Sequence, residues 1–410
     1  MTPAEAARLI VSEIQPLAPG RRPLREALDA VLAEDVSSPL DLPPWDNSAM
    51  DGYAVRSADV REGAELDVIE TIPAGQFPSK PVGPGQATRI FTGAPLPQGG
   101  GADTVIRQED TEVLAGGKRV AIRNARDAGK NVRRRGEDIR KGTVVLEAGT
   151  PLGPAQLGVL ASMAHDRPLV HGTPRVAFMG SGDEIVDLDA KAEILAGRKI
   201  ASSNSYTLDA MIRRAAAEPV NLGLARDTKE SLREHLLRAA GERADLLVTT
   251  AGVSVGEHDL VRDVLQELGG ELKFWRIAMR PGAPVGFGML GGKPWIGLPG
   301  NPVSTMVTFE LFVRPVIRRL QGHALLFRRT VPVVVQESIT LGPKLRHYLR
   351  AIVHAGEARL TGAQGSGILT SMARANALLI IPPDLPTVAA GTTLQALILD
   401  DPQHVAEPPY

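Results

Sequence analysis

Cysteine is absent from all 410 residues. That excludes disulfides, thiolate nucleophiles, cysteine zinc sites and iron-sulfur ligation together, and a reducing cytoplasm fits it. Aromatics make up only 4%, so platforms for stacking nucleic-acid bases are not expected. A field of one sign is also missing. Against 46 Lys and Arg stand 47 Asp and Glu, so nothing global recruits nucleic acid or anionic membrane, and any polyanion must be met locally. No apolar run approaches the ~20 residues of a membrane span, and residues 1–15 lack the basic start and apolar core of a signal peptide. The expectation is a soluble, cytoplasmic protein. Lysine is rare, with 10 residues against 36 Arg. The eight histidines show no ligand spacing such as His-Glu-x-x-His, so no zinc site is expected.

What is present begins with length, which at roughly 150 residues per domain allows two to four domains. Glycine (42) and proline (32) are abundant, so ordered turns should be plentiful. Thr2-Pro3-Ala4-Glu5 has the spacing of a capping box, followed by apolar Leu9, Ile10 and Ile14, and predicts an opening helix. A second amphipathic stretch, 24–36, runs into the proline-rich segment 39–44, where helix cannot continue. From 45 to about 146, short β-like runs separated by Gly and Pro read as a β-rich insert, and 154–164 reads as a helix returning to pack on the first two. From Arg175, strands and amphipathic helices alternate as far as a long helix over 302–320, the signature of a doubly wound α/β unit. Beyond 326 the pattern turns β-like again. The expected architecture is a multidomain α/β plus β protein with four units: a discontinuous helical domain (1–44 and 147–174), the insert (45–146), the α/β domain (175–325) and a terminal β domain (326–410).

Open α/β sheets bind ligands beyond the carboxyl ends of their strands. Three glycine-bearing loops fall there: Gly180-Ser-Gly-Asp-Glu184, the run from Thr250 to Asp259, and Pro299-Gly-Asn-Pro-Val-Ser304. Each taken alone reads as a tight connection with helix caps. Together they offer N–H donors and small residues for phosphate, with carboxylates for Mg²⁺. Ile185 occupies the third-glycine position of a dinucleotide fingerprint, and no Gly-Lys-Ser or Gly-Lys-Thr of a Walker loop occurs. In the insert, 131–141 packs five cations and two acids into eleven residues broken by Gly136. Such a run is commonly a solvated face, yet adjacent guanidinium and carboxylate groups can also hold an anion with its metal.

Asp46-Asn-Ser-Ala-Met-Asp-Gly-Tyr-Ala-Val-Arg56, Asn131-Val-Arg-Arg-Arg-Gly-Glu-Asp-Ile139, Gly252-Val-Ser-Val-Gly256 and Gly297-Leu-Pro-Gly-Asn-Pro-Val-Ser304 closely resemble, in order and over nearly the whole chain, the molybdopterin molybdenumtransferase (MoeA) family, which is similar to the E domain of gephyrin. The resemblance implies a transferase of molybdenum-cofactor synthesis that inserts molybdate into adenylated molybdopterin and releases AMP with Mg²⁺. It also implies a molybdopterin-binding α/β domain, a homodimer with its cleft between the α/β domain of one subunit and the insert of the other, and contact with molybdopterin adenylyltransferase.

Carried over by motif, Asp51, Asp138, Glu184 and Asp259 would be catalytic, with Glu184 and Asp259 on the metal. Asn47, Ser48, Thr92 and Arg133 would bind substrate from the insert. Asp183, Gly252, Ser254, Gly256, Pro299, Gly300 and Asn301 would do so from the strand-end loops. Arg276, Arg280, Ser304, Arg350 and Ser371 would meet the oxyanion, the last two from the terminal domain. The chain departs from the family pattern in Arg280-Pro-Gly-Ala-Pro284, where Lys-Pro-Gly-Lys-Pro is common, and Ala251 replaces a common Gly. Ala283 leaves one expected cation missing. This keeps open a tungstate-preferring homologue or a non-catalytic pterin-binding scaffold, beside a third reading as another Mg²⁺-dependent nucleotidyl or phosphoryl transferase.

Overall fold

The computed structural model describes residues 1–410 except Ala74, Gly100, Glu242, 252–259, Pro343 and 401–410. Helix α1 (Pro3–Ser12) carries the expected capping box. The Glu5 N–H donates to Thr2 Oγ1 at 3.3 Å and the Thr2 N–H to Glu5 Oε2 at 2.8 Å, satisfying two of the free donors of a helix start.

The 24–36 stretch is not a helix. One 3₁₀ turn (Leu24–Glu26) gives way to Asp29 at φ +62°, a left-handed value that ends any helical run. The chain then pairs as extended backbone: Leu32 donates to the carbonyl of Thr150, and Val36–Ser37 pairs with Val144–Leu146. The apolar spacing that suggested a helical face is met by burying Ala27, Leu32 and Val36 against Leu160 and Met163, while Leu28 stays half exposed.

The insert forms a six-stranded sheet of β1 (Gly52–Val55), β2 (Glu65–Ile72), β3 (Gln86–Ile90), β4 (Thr104–Arg107), β5 (Thr111–Leu114) and β6 (Arg119–Ile122), in the order β4-β1-β3-β2-β6-β5. Only β2 and β3 run parallel. Its two small cores consist of its own residues, among them Tyr53, Val55, Ile106 and Ile122 on one face and Ile72, Ile90 and Val105 on the other. Helix α2 (Pro154–Ser162) returns to the 24–36 stretch rather than to α1. Helix α1 instead buries Ala6, Ala7 and Ile10 in the core of the α/β unit.

That unit contains β7 (Arg175–Ser181), α3 (Ser203–Arg214), β8 (Glu218–Ala225), α4 (Lys229–Gly241), β9 (Leu246–Thr250), α5 (Leu260–Glu267), β10 (Glu271–Phe274), β11 (Gly286–Leu290) and β12 (Lys293–Leu298). The sheet order is β8-β7-β9-β12-β11-β10. The first four strands are parallel, and the β11–β12 hairpin makes the remaining edge antiparallel. Central strands β7 and β9 are almost wholly buried, as expected of strands covered on both faces. The long helix is continuous but not uniform: α6 (Pro302–Thr308), a π segment (Phe309–Val313) and α7 (Arg314–Leu320) follow one another. Within the π segment Phe309, Phe312 and Val313 are all buried.

The terminal unit closes into a barrel of β13 (Thr330–Val335), β14 (Arg346–His354), β15 (Glu357–Leu360), β16 (Ala377–Ile381) and β17 (Thr393–Ile398), with α8 (Leu369–Arg374) between β15 and β16. Each strand pairs on both sides, β14 with β15 and β16, and β13 with β15 and β17, so no edge is left open. Met279–Arg280 of the α/β unit adds to β14 at Arg346–His347, and Tyr348, Met372, Leu378 and Leu397 enter the α/β core. Barrel and α/β unit therefore share packing. Among the described residues no helix is long and apolar enough to cross a membrane.

Candidate functional site

A pocket of about 450 Å³ opens at the carboxyl ends of β7, β9 and β12, where parallel strands release their chains into loops. Its walls include Gly180, Ser181 and Glu184 after β7, Thr250 and Ala251 after β9, and Pro299, Gly300 and Asn301 after β12. Two of the three expected loops are therefore brought together with the start of the third. Gly252, Ser254, Gly256 and Asp259 lie outside the described residues. The glycines have a steric reason to be there. At Gly182 φ is +140°, and a Cβ would lie 2.9 Å from Ile185 Cγ1 and 3.1 Å from Glu184 Oε2.

The start of α3 is a wall that the sequence reading missed. Ser202, Ser203 and Asn204 line the pocket. No side chain caps α3, while Ser202 and Ser205 hydroxyls bond each other at 2.6 Å. Asn204 donates from Nδ2 to the Gly300 carbonyl at 2.8 Å, and its Oδ1 is buried without a partner among the described residues. A legible signal existed: Ser202-Ser-Asn-Ser205 is a run of N-cap formers ahead of an amphipathic helix. Helix α6 also begins at this pocket. Asn301 occupies its N-cap position but makes no side-chain capping bond, contrary to expectation. Thr305 Oγ1 donates to the Pro299 carbonyl at 2.6 Å instead, and the Val303 N–H donates to the Ser366 carbonyl at 3.0 Å. Two helix starts border one cavity, and the partial positive charge of a helix start favours an anion there although no Lys or Arg lines it among the described residues.

Glu184 is an exposed carboxylate on the rim. Asp183 is engaged differently: its N–H donates to Asp227 and its carboxylate accepts from the Asp227 N–H, at 3.4 and 3.3 Å. Among the described residues no group of three or more His, Asp or Glu forms a ready metal cluster. Mg²⁺ nevertheless asks for only one or two protein carboxylates when substrate phosphates and water complete its octahedron. Glu184 fits that hard-oxygen requirement, and Asn204, whose Oδ1 has no partner among the described residues, lines the same pocket.

The insert assembles a second cluster. Asn47–Ser48 pairs with Val132–Arg133, and Ser48 also exchanges backbone bonds with Gly93 and Ala94. This ladder brings the 46–51, 92–95 and 131–138 segments into one patch. Asp51 accepts from both the N–H and Oγ1 of Thr92, each at 2.8 Å, and these two donors hold its carboxyl below the usual carboxylate range. Arg134 and Arg135 are tied down by Asp46 and Asp41 at 2.8 and 2.7 Å. Arg133 and Asp138 are exposed, and their side chains make no hydrogen bond or ion pair among the described residues. The charge run thus divides into structural members and free ones. Asn47 and Ser48 are buried, with Ser48 Oγ closing a turn onto the Met50 carbonyl, so their side chains shape the patch rather than face solvent.

The oxyanion residues separate likewise. Arg276 and Arg280 are exposed, near the loop in which the carbonyl of Ala283 receives the N–H groups of Ile277 and Val285. Ser304 is buried in the first turn of α6. Arg350 is fully buried. Its Nε donates to Ser371 Oγ at 3.0 Å and its Nη2 to the Ala363 and Gly365 carbonyls at 3.2 and 2.9 Å. Arg350 and Ser371 are therefore together, as expected, but in this chain they fasten the 361–368 loop, whose Ser366 carbonyl reaches the start of α6. Arg350 Nη1 is buried without a partner among the described residues, and neither side chain reaches solvent.

Comparison with known proteins agrees with this architecture. Residues 1–164 match the MoeA N-terminal region (domains I and II), 177–319 a probable molybdopterin-binding domain, and 332–399 the MoeA C-terminal region (domain IV). The chain is 37% identical to the molybdopterin molybdenumtransferase of Nostoc sp., over 90% of this chain and 86% of that one. It is 38% identical to molybdopterin molybdenumtransferase 2 of Mycobacterium tuberculosis, over 95% and 98%. The crystal structure of the molybdopterin biosynthesis moeA protein from Pyrococcus horikoshii superposes with a TM-score of 0.82 at 29% identity, covering 97% of this chain and 99% of that one. With identity at this level over nearly the full length, the chain belongs to the molybdopterin molybdenumtransferase (MoeA) family.

Proposed function

We propose that this protein is a molybdopterin molybdenumtransferase that inserts molybdate into adenylated molybdopterin and releases AMP, working as a cytoplasmic homodimer with Mg²⁺. The observation that carries the reading is the pocket at the strand ends, where two helix starts and backbone donors meet one rim carboxylate. That is a receptor for a pyrophosphate rather than for a neutral ligand. Glu184, with Asp259 as the second carboxylate of the family motif, would hold the magnesium, which when bound neutralises the developing phosphate charge. Asn204 and the N–H groups at the start of α3 orient the phosphates. Arg276 and Arg280 supply guanidinium donors for the dianionic molybdate.

The insert has cores of its own residues, and Arg133, Asp138 and Asp51 are all exposed on it. We assign them to the pocket of a second copy. The four-unit division of the chain follows the same logic, and contact with molybdopterin adenylyltransferase would deliver the adenylated pterin. The test is direct: purified protein given adenylated molybdopterin, molybdate and Mg²⁺ should release AMP, and Glu184→Gln should slow release on the order of 10²-fold. AMP release at the normal rate in Glu184→Gln or Asp259→Ala would remove those carboxylates from the mechanism. Binding without any release would select the scaffold reading that Ala283 suggests.

A further inference from the structure

A second cavity, of about 440 Å³, lies where α3 ends, α7 begins and β17 leaves the barrel. Arg214, Arg314, Arg328, Arg329 and Asp400 line it. It stands apart from the strand-end pocket. Helix α3 starts in that pocket at Ser203 and finishes here at Arg214, and the helix that starts at Pro302 reaches Arg314 here. Twelve to thirteen helical residues place the two sites about 18 Å apart along either helix.

The charges do not balance. Arg314 and Arg328 both donate to one oxygen of the buried Glu310, at 2.8 and 2.5 Å. Arg214 pairs with Asp400 at 2.9 Å. Arg318 adds a further guanidinium whose Nε is given to the Leu325 carbonyl at 2.8 Å rather than to an acid. Among the described residues, Arg214, Arg314, Arg318 and Arg328 are set against two carboxylates, Glu310 and Asp400, an excess of two positive charges. Burial, and then the charges of Arg314 and Arg328, push the Arg318 guanidinium below its ordinary range, the sign expected of crowded like charges. Guanidinium groups present planar pairs of donors that match tetrahedral oxyanions.

We infer that this arginine-lined cavity is a second anion site, independent of the strand-end pocket, for a doubly charged tetrahedral oxyanion of the phosphate class. Calorimetric titration of the full-length protein with inorganic phosphate, at constant ionic strength set by chloride, tests it. Wild-type protein should bind phosphate saturably. Arg214→Ser should weaken that binding about tenfold, the worth of one charge-assisted hydrogen bond. Asp400→Asn, which removes the competing carboxylate, should tighten it. A variant that merely loosens the fold cannot produce both signs. A parallel titration with molybdate identifies the source: tighter binding than phosphate assigns the cavity to the substrate oxyanion, weaker binding to phosphate. Absence of saturable binding in the wild type, or affinity unchanged in both variants, overturns the inference.

Discussion

Ala251, at the end of β9, has φ +67° on the wall of the strand-end pocket. An L-residue pays about 1–2 kcal/mol for that conformation, and glycine would return about 0.4–1 kcal/mol of the gain through its freer unfolded chain. Ala251→Gly is therefore expected to stabilise the protein by about 0.5–1 kcal/mol in denaturant titrations. An unchanged or lower midpoint would show that the local backbone is not strained. A second expectation concerns His323, which burial, and then the charge of Arg318, pushes down from 6.5 to about 4. Between those values the unfolded chain binds a proton that the native histidine refuses. Its contribution to stability is thus complete above pH 6.5 and is lost as pH falls through about 4. Denaturation of His323→Asn should show a shallower decline from pH 7 to 4.5 than the wild type, and parallel curves would deny the histidine this role. At this scale much of the candidate site was legible. Asp51, Arg133, Asp138 and Glu184 are polar residues in glycine-rich strings, and such strings announce loops. What could not be read was which charges are consumed, since Arg134 and Arg135 differ from Arg133 only in having Asp46 and Asp41 folded against them.

Elements were legible where period and punctuation agreed. Thr2 and Glu5 mark the start of α1, Gly269-Gly270 follows the end of α5, and the β11–β12 hairpin stands at the expected place. The 24–36 stretch shows the opposite case. Its apolar spacing suits a helical face, but the left-handed turn at Asp29 and extended partners at Thr150 and Val144 offer the same burial in another form. Periodicity reports that residues are buried on one side, not which backbone buries them. Beside the shared core and the β14 pairing, Arg350 adds to the link between barrel and α/β unit by fastening the 361–368 loop, whose Ser366 meets the first turn of α6. Lysine cannot reproduce this fork of donors, so Arg350→Lys should cost about 2–3 kcal/mol by leaving buried carbonyls unpaired. Thermal and chemical unfolding would measure the loss. A cost near zero would mean that the loop is held by other contacts.

For the whole molecule, the proposed division of catalytic groups between insert and α/β unit leads to a complementation experiment. If each site takes its insert patch from a second copy, Asp51→Asn and Glu184→Gln proteins should each be nearly inactive in AMP release. Mixed after partial unfolding and reassembly, they should recover about a quarter of wild-type activity, because half the dimers are mixed and each of these carries one intact site. No recovery would place both carboxylates in one chain's site. The sequence by itself determined the class of the molecule, the alternation of strands and helices, and the strings that carry the family resemblance, because these depend on local spacing and turn chemistry. Only the tertiary structure decided that α1 packs on the α/β core, that the start of α3 walls the pocket, that Arg350 is a buried fastener, and that Arg314 and Arg328 share Glu310. Each of those outcomes depends on residues far apart in the chain competing for the same space and the same hydrogen-bond partners, and no local pattern records who wins.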